Sequence, residues 1–200
     1  MFLINLFYGE KMEKKLKKIG LYLGFFAAAF LGYADDHITV SPKNHKLIEQ
    51  SQHATIYSLI TDRLILSEQL AKAHWNEKTP IDDIKKEEAF LVDVEKKAAS
   101  SGLDRTEITN FFNAQLDASK MICIENFEIW VKNDLHKHKN AAESSKIEAQ
   151  IEKIDNQILD LIKASEGNLL KDKKPLKDAL AKDLQIKGFS RDVIDSATQF

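Results

Sequence analysis

The chain has 200 residues, of which 44% are hydrophobic and 30% are charged, with a formal net charge of −2. This length suits one domain with a sizeable core, and the charge provides no basic excess for binding nucleic acid. Only 7 Gly and 3 Pro are present, which favours long helices over a many-stranded sheet. The single cysteine, Cys123, cannot form an internal disulfide, so stability must come from the core.

Residues 1–34 are predicted to be a secretory signal peptide. Met12 opens a basic stretch, MEKKLKK, and the apolar run that follows it is short for a membrane span. Gly32-Tyr33-Ala34 then places small residues where a signal peptidase cleaves. We therefore expect translation to start at Met12, cleavage after Ala34, and a periplasmic or secreted domain of residues 35–200 without a stable membrane anchor. An uncleaved N-terminal anchor is the alternative.

The first predicted helix runs from His45 to about Lys78, without Gly or Pro, and ends at Thr79-Pro80. A helix of this length would measure about 45 Å at 1.5 Å per residue, which is long for a globular helix. Its apolar residues recur at spacings of three, four and seven: Ile48, Ile56, Leu59, Ile60, Leu66, Leu70 and Ala73.

Shorter helical patterns follow this long helix. A second helix is capped by Asp82 or Asp83 and stops at Ser100-Ser101-Gly102, where glycine favours termination. A third begins with the capping-box-like Asp104-Arg105-Thr106-Glu107 and frays near His136. The later predicted helices are Ala142–Ala164, Pro175–Ile186 and Ser190–Thr198. The predicted fold class is an all-α helical bundle with one very long N-terminal helix and short C-terminal helices.

Two polar residues lie on the apolar stripe of the first helix. Arg63 is three or four residues from Leu59 and Leu66, and His74 is about three turns further along the same face. A buried guanidinium must be paired. One interpretation is an ion pair with a core carboxylate such as Asp83; the other is that Arg63 binds an anionic ligand.

Polar residues also lie on the inner faces of the other helices. Taken together, they predict a polar cavity inside the bundle, although each alone is more simply a satisfied core group. The second helix contributes Asp83 and Lys86 beside Phe90, the third contributes Gln115, Ser119, Cys123 and Asn126, and the fourth contributes Gln157. No metal site is predicted, because the two histidines of His136-Lys137-His138 do not face one way on a helix.

The order of these residues resembles the exported, all-helical chorismate mutases, over roughly Ile48 to Leu161. That resemblance implies conversion of chorismate to prephenate, a step of aromatic amino acid biosynthesis, with no cofactor and a small carboxylate substrate. The oligomeric state is open, with a homodimer as one alternative. The matching segments are Arg63-Leu64, His74-Trp75, Pro80–Asp83, Lys86-Glu87, Phe112–Leu116, Ala118-Ser119, Phe127, Trp130 and Ile154–Leu159.

The resemblance also implies roles for substrate-binding residues. Arg63 corresponds to a carboxylate-binding arginine, Asp83 to an aspartate before the second helix, and Ser119 to a threonine. Lys86 stands where the family has an arginine, which keeps the charge and loses the bidentate fork. Phe90 takes a position that is often glutamine.

Three further positions depart from the family pattern. His74 stands where the family has the lysine that donates to the breaking ether oxygen, and Cys123 stands where a glutamate or glutamine is the other donor. Gln157 replaces a residue that is usually arginine. Two hypotheses follow: an atypical chorismate mutase that uses Arg63, His74 and Cys123 for catalysis, or a catalytically degenerate homologue that binds a small carboxylate or a protein partner. A bundle with no ligand is a third alternative, favoured if Arg63 is salt-bridged and Phe90 closes the cavity.

Overall fold

The computed structural model describes residues 42–200, with side chains from residue 51 onwards, and within them it contains helices and no strand. The predicted signal peptide, its cleavage site and the predicted start codon lie outside these residues. No described helix is long and apolar enough to cross a membrane. The helices are α1 Pro42–Glu77, α2 Ile84–Ser100, α3 Arg105–Lys132, α4 Ser144–Ala164, α5 Asn168–Lys171, α6 Lys173–Lys187 and α7 Arg191–Ala197.

The long first helix is confirmed. It contains 36 residues and is about 54 Å long at 1.5 Å per residue. It begins at Pro42, where a fixed φ and a missing N–H are tolerated, three residues earlier than His45. It ends at Glu77 because Lys78 adopts a left-handed φ of 60°, and Pro80 cannot continue the helix.

The starts of α2 and α3 follow the predicted capping. Asp83, rather than Asp82, is the N-cap of α2, and its side chain accepts a hydrogen bond from the Lys86 backbone N–H. Asp104 caps α3 in the same way through the Glu107 backbone N–H. Each cap satisfies one of the N–H groups that lack an intrahelical partner.

The third helix ends earlier than predicted, at Lys132 rather than near His136. Asp134 takes a left-handed φ of 51°, and the Leu135 N–H donates back to the Trp130 carbonyl at 2.9 Å. The Leu135 carbonyl in turn accepts a hydrogen bond from Trp75 Nε1 at 3.0 Å. This tertiary contact fixes the turn, so the local sequence pattern does not decide where α3 stops.

The main core lies where α1 packs along α3, α4 and α6. Phe111 and Phe112 of α3 are fully buried there, and their rings meet edge to face. Phe200 follows α7 and packs edge to face against Phe111, with 4.9 Å between ring centroids. Gln115 of α3 also donates to the Ala197 carbonyl at 3.0 Å, so α7 is held against the helix that carries much of the core.

Candidate functional site

A cavity of about 1030 Å³ opens between α1, the α1–α2 loop, α2, α3 and α4. Buried residues of α1, such as Arg63 and Ser67, form the inner wall of the cavity. Exposed residues of α2, such as Lys86 and Ala89, lie at its opening. Seven of the residues predicted to bind substrate or to act in catalysis line this cavity: Arg63, His74, Asp83, Lys86, Phe90, Ser119 and Cys123. Gln115, Asn126 and Gln157, which the sequence also placed on the polar faces, do not line it. The predicted convergence of polar faces into one cavity is therefore observed in part.

Arg63 is paired inside the cavity with Asp155 of α4. Arg63 Nε donates to Asp155 Oδ1 at 2.7 Å, and the two side chains are 3% and 6% exposed. The sequence suggested Asp83 as the partner, and that assignment is wrong. Asp83 lies at the exposed start of α2 and uses its carboxylate to cap that helix, whereas α4 packs directly against α1.

The rest of the guanidinium is held by α3. Arg63 Nη1 donates to the Gln115 carbonyl at 3.0 Å and to Ser119 Oγ at 2.6 Å. Ser119 Oγ donates to the same Gln115 carbonyl at 2.9 Å and lies 2.9 Å from Ser67 Oγ. These hydrogen bonds fix the orientation of the guanidinium, since Nε and Nη1 both have protein partners. Nη2 has none among the residues that the structure describes.

Burial raises the pKa of the Asp155 carboxyl above its ordinary value, although the neighbouring Arg63 opposes that rise. Only Oδ1 of this carboxylate has a hydrogen-bond partner in the described chain. The adjacent guanidinium of Arg63 is therefore the group that favours the charged form of Asp155.

Lys86 and His74 both face Glu148 of α4. Lys86 Nζ lies 2.6 Å from Glu148 Oε2, and His74 Nε2 lies 3.8 Å from Glu148 Oε1. The second distance is too long for a hydrogen bond, and His74 Nδ1 is buried without a partner in the described chain. The imidazole is therefore not held by a hydrogen bond to any described residue.

Cys123 lines the cavity from α3 as a neutral thiol. It is buried, and burial raises the pKa of this thiol to about 11. Ionised thiol is the nucleophilic form, so the thiol is poorly suited to attack at neutral pH. A protonated thiol remains a weak hydrogen-bond donor.

Phe90 lies at the edge of the cavity without closing it. Its ring packs edge to face against Phe112, with 5.6 Å between ring centroids, and the cavity that it lines has a volume of about 1030 Å³. The third alternative, a helical bundle that binds no ligand, was to be favoured if Arg63 was salt-bridged and Phe90 closed the cavity. Only the salt bridge is observed.

Gln157, predicted to contact substrate, does not line the cavity. The α4 residues that line the cavity are separated by about one, two or three helical turns, so they lie on one side of the helix. Gln157 lies on a different side of α4, together with Ile154 and Leu161. The α4 residues that line the cavity are Ser144, Ser145, Glu148, Ala149, Ile151, Glu152, Asp155, Asn156 and Leu159. The predicted role for Gln157 is therefore not supported by its position.

Two further lysines line the cavity and are also engaged by carboxylates. Lys97 Nζ lies 2.7 Å from Asp93 Oδ2, and Lys120 Nζ lies 3.0 Å from Glu87 Oε2. Partial burial lowers the pKa of Lys120, but the hydrogen bonds and charges of Glu87 and Asp117 outweigh it and the net shift is upward. Lys120 therefore stays charged at neutral pH.

Carboxylates outnumber cations around the cavity. Arginine and lysine contribute Arg63, Lys86, Lys97 and Lys120, against Asp82, Asp83, Glu87, Asp93, Glu148, Glu152 and Asp155. The roles of Glu148 and Asp155 were not predicted from the sequence. The available signal was their position beside the apolar stripe of α4, which includes the buried Ile147 and Ile158. Among the described residues, no group of three or more His, Cys, Asp or Glu side chains is arranged to hold a metal ion.

No protein-family model matches the sequence, and no curated protein matches it. Solved structures do match in shape. A chorismate mutase from Burkholderia thailandensis superposes with a TM-score of 0.62 and 23% identity, over 74% of this chain and 96% of that chain. A chorismate mutase from Burkholderia phymatum superposes with a TM-score of 0.63 and 18% identity, over 74% of this chain and 94% of that chain.

The chain has the chorismate mutase fold. The expected all-α architecture is confirmed, and it has the helical arrangement of these enzymes. The cavity lies between the helices to which the resemblance assigned substrate-binding residues.

Proposed function

We propose that this protein is an atypical chorismate mutase that rearranges chorismate to prephenate, acting in the periplasm or outside the cell after removal of residues 1–34. The observation that carries the proposal is the convergence of Arg63, His74, Lys86, Ser119 and Cys123 on one cavity in a chain with this fold. A homodimer is compatible with this function.

The reaction is an intramolecular Claisen rearrangement in which an ether C–O bond breaks as a C–C bond forms, with no proton transfer. Catalysis consists of holding the dianion in a compact conformer and stabilising charge on the ether oxygen. Arg63, fixed by Ser119, binds one substrate carboxylate, and Lys86 at the rim binds the other. Protonated His74 and the Cys123 thiol donate to the ether oxygen.

The test is a direct assay of chorismate consumption between pH 5 and 8, with the purified protein lacking residues 1–34. The proposed role of His74 needs its protonated form, so we expect prephenate formation to increase as the pH falls towards 6. His74→Gln is the matched variant. It should remove the pH dependence and lower the rate about a hundredfold or more, as the loss of one oxyanion donor does. Absence of prephenate at every pH would contradict the proposal.

A second function is favoured by the charges around the cavity. Arg63 is paired with Asp155 and Lys86 with Glu148, which suits a degenerate homologue that binds a small acid without turnover. It predicts ligand-induced shifts of the melting temperature without prephenate. The variant His74→Lys with Cys123→Glu separates the two, because activity gained from none supports the degenerate homologue. Arginine at position 157 should add little, since Gln157 does not line the cavity.

A further inference from the structure

One face of α4 is an acidic face made of Glu148, Glu152 and Asp155. Their spacing of four and three residues places them on the same side of the helix, and all three line the cavity. Glu148 Oε2 lies 2.6 Å from Lys86 Nζ, and Asp155 Oδ1 lies 2.7 Å from Arg63 Nε. The same helix face therefore supplies a carboxylate to each of the two cations that would bind a dicarboxylate ligand.

The two ion pairs differ in their surroundings. Lys86 and Glu148 are 57% and 30% exposed, so solvent screens their interaction and a ligand can displace it at little cost. Arg63 and Asp155 are 3% and 6% exposed, where charges interact much more strongly. Asp155 is consequently the acidic residue that a ligand carboxylate cannot easily displace.

The geometry of Arg63 limits how it can meet a ligand. Its Nε is bound to Asp155 and its Nη1 to the Gln115 carbonyl and Ser119. A carboxylate that approaches the remaining nitrogen, Nη2, also approaches the negative charge of Asp155. The attraction of the guanidinium is therefore partly cancelled before any ligand binds.

We propose that Asp155 is a positioning residue that determines specificity for ligand charge: by competing for Arg63, it reduces the affinity that a second carboxylate adds, so that a dianion binds only slightly more tightly than a monoanion. The inference rests on the proposed binding of carboxylates in this cavity. It assigns to α4, rather than to the cationic residues alone, the control of how much the second carboxylate of a ligand contributes to binding. The Asp155→Asn variant keeps an oxygen for Arg63 Nε and removes only the charge.

The experiment compares wild type, Asp155→Asn and Glu152→Gln in binding benzoate and benzene-1,3-dicarboxylate, measured by calorimetry. Glu152→Gln removes the same charge from the same helix face without touching Arg63. With Asp155→Asn we expect the dicarboxylate Kd to fall about tenfold and the benzoate Kd about threefold, as expected for a strengthened hydrogen bond to a charged group. With Glu152→Gln we expect less than about twofold for both.

Kinetic measurements distinguish a positioning role of Asp155 from a purely structural one. Asp155→Asn should lower the KM for chorismate about tenfold with little change in kcat, because ground-state and transition-state carboxylates gain equally. If Asp155→Asn changes the dicarboxylate affinity but no variant forms prephenate, the proposed reaction is contradicted and the proposed role of Asp155 is supported. If prephenate forms but Asp155→Asn and Glu152→Gln have equal effects, the reaction is supported and the role of Asp155 is contradicted.

Folding of the variants is checked by circular dichroism, since a buried Arg63 beside asparagine lacks its counter-charge. The wild-type protein gives a measurement that does not depend on this variant. With Asp155 in place, the dicarboxylate should bind no more than about threefold tighter than benzoate, against roughly tenfold for an unopposed second ion pair. A wild-type preference of tenfold or more would overturn the proposal.

Discussion

At the scale of single residues, the reactivity of the Cys123 thiol reports on how deeply it is buried in the cavity wall. Burial raises the pKa of its thiol from 9.0 to about 11, so the reactive thiolate is scarce at pH 8. We expect iodoacetamide to alkylate the folded protein about a hundredfold more slowly than the urea-unfolded chain, since two pKa units correspond to that factor. The rate should increase with pH up to about 11.

Mass spectrometry follows this reaction without ambiguity, because the sequence contains one cysteine. Cys123→Ser is the control variant, because it lacks the thiol that iodoacetamide alkylates. Equal rates for folded and unfolded protein at pH 8 would show that the thiol is neither buried nor neutral, and would restore the possibility of a nucleophilic role.

The residues of the cavity also show what a sequence can predict. Arg63 was identifiable because an arginine on an apolar stripe must be buried and paired. Its partner was not, because Asp155 is reached through the packing of α4 on α1, and no spacing within one helix encodes that contact. Gln157 was misplaced for a related reason: an apolar stripe marks the buried side of α4, and the cavity takes only part of that side.

At the scale of the helices, Asp83 combines two possible roles, as a cap and as a cavity residue. Its carboxylate caps α2 through the Lys86 N–H at 3.1 Å, and loss of such a cap costs about 1 kcal/mol. We expect Asp83→Ala to lower the free energy of unfolding by that amount. Asp83→Asn should have much less effect, because asparagine is an equally good cap. Urea denaturation monitored by circular dichroism measures both.

Asp104→Ala is the control for this comparison, because Asp104 caps α3 and does not line the cavity. It should cost similar stability and leave carboxylate binding unchanged. If Asp83→Asn destabilises the protein as much as Asp83→Ala, the negative charge at the start of α2 stabilises the helix in addition to the capping hydrogen bond.

The helix ends, like the Arg63–Asp155 ion pair, are predictable from the sequence only where the contacts that form them are local. The caps of α2 and α3 are local, so aspartate before an apolar pattern was enough to predict them. The end of α3 depends on Trp75 of α1, which donates to the Leu135 carbonyl across the bundle. The four-residue helix α5 was not predicted, since a single turn leaves no periodic pattern to recognise.

At the scale of the whole molecule, the all-α fold followed from apolar stripes at helical spacing and from the scarcity of glycine and proline. The charge of the cavity did not follow from the overall charge. The full sequence is nearly neutral at −2, whereas the cavity gathers carboxylates from α2 and α4 and from the loop before α2. Tertiary packing brings these charges together.

This charge distribution predicts an unusual dependence on salt. A cavity lined mostly by cations attracts an anionic substrate, and added salt then slows association. Here the surplus of carboxylates around the cavity should repel a dianion, and salt should screen that repulsion. We therefore expect kcat/KM for chorismate, or the association rate of benzene-1,3-dicarboxylate, to increase about two- to threefold between roughly 10 and 150 mM NaCl. Benzoate, with half the charge, should respond less. A decrease with salt would mean that Arg63 and Lys86 dominate the field at the cavity despite their pairing with Asp155 and Glu148.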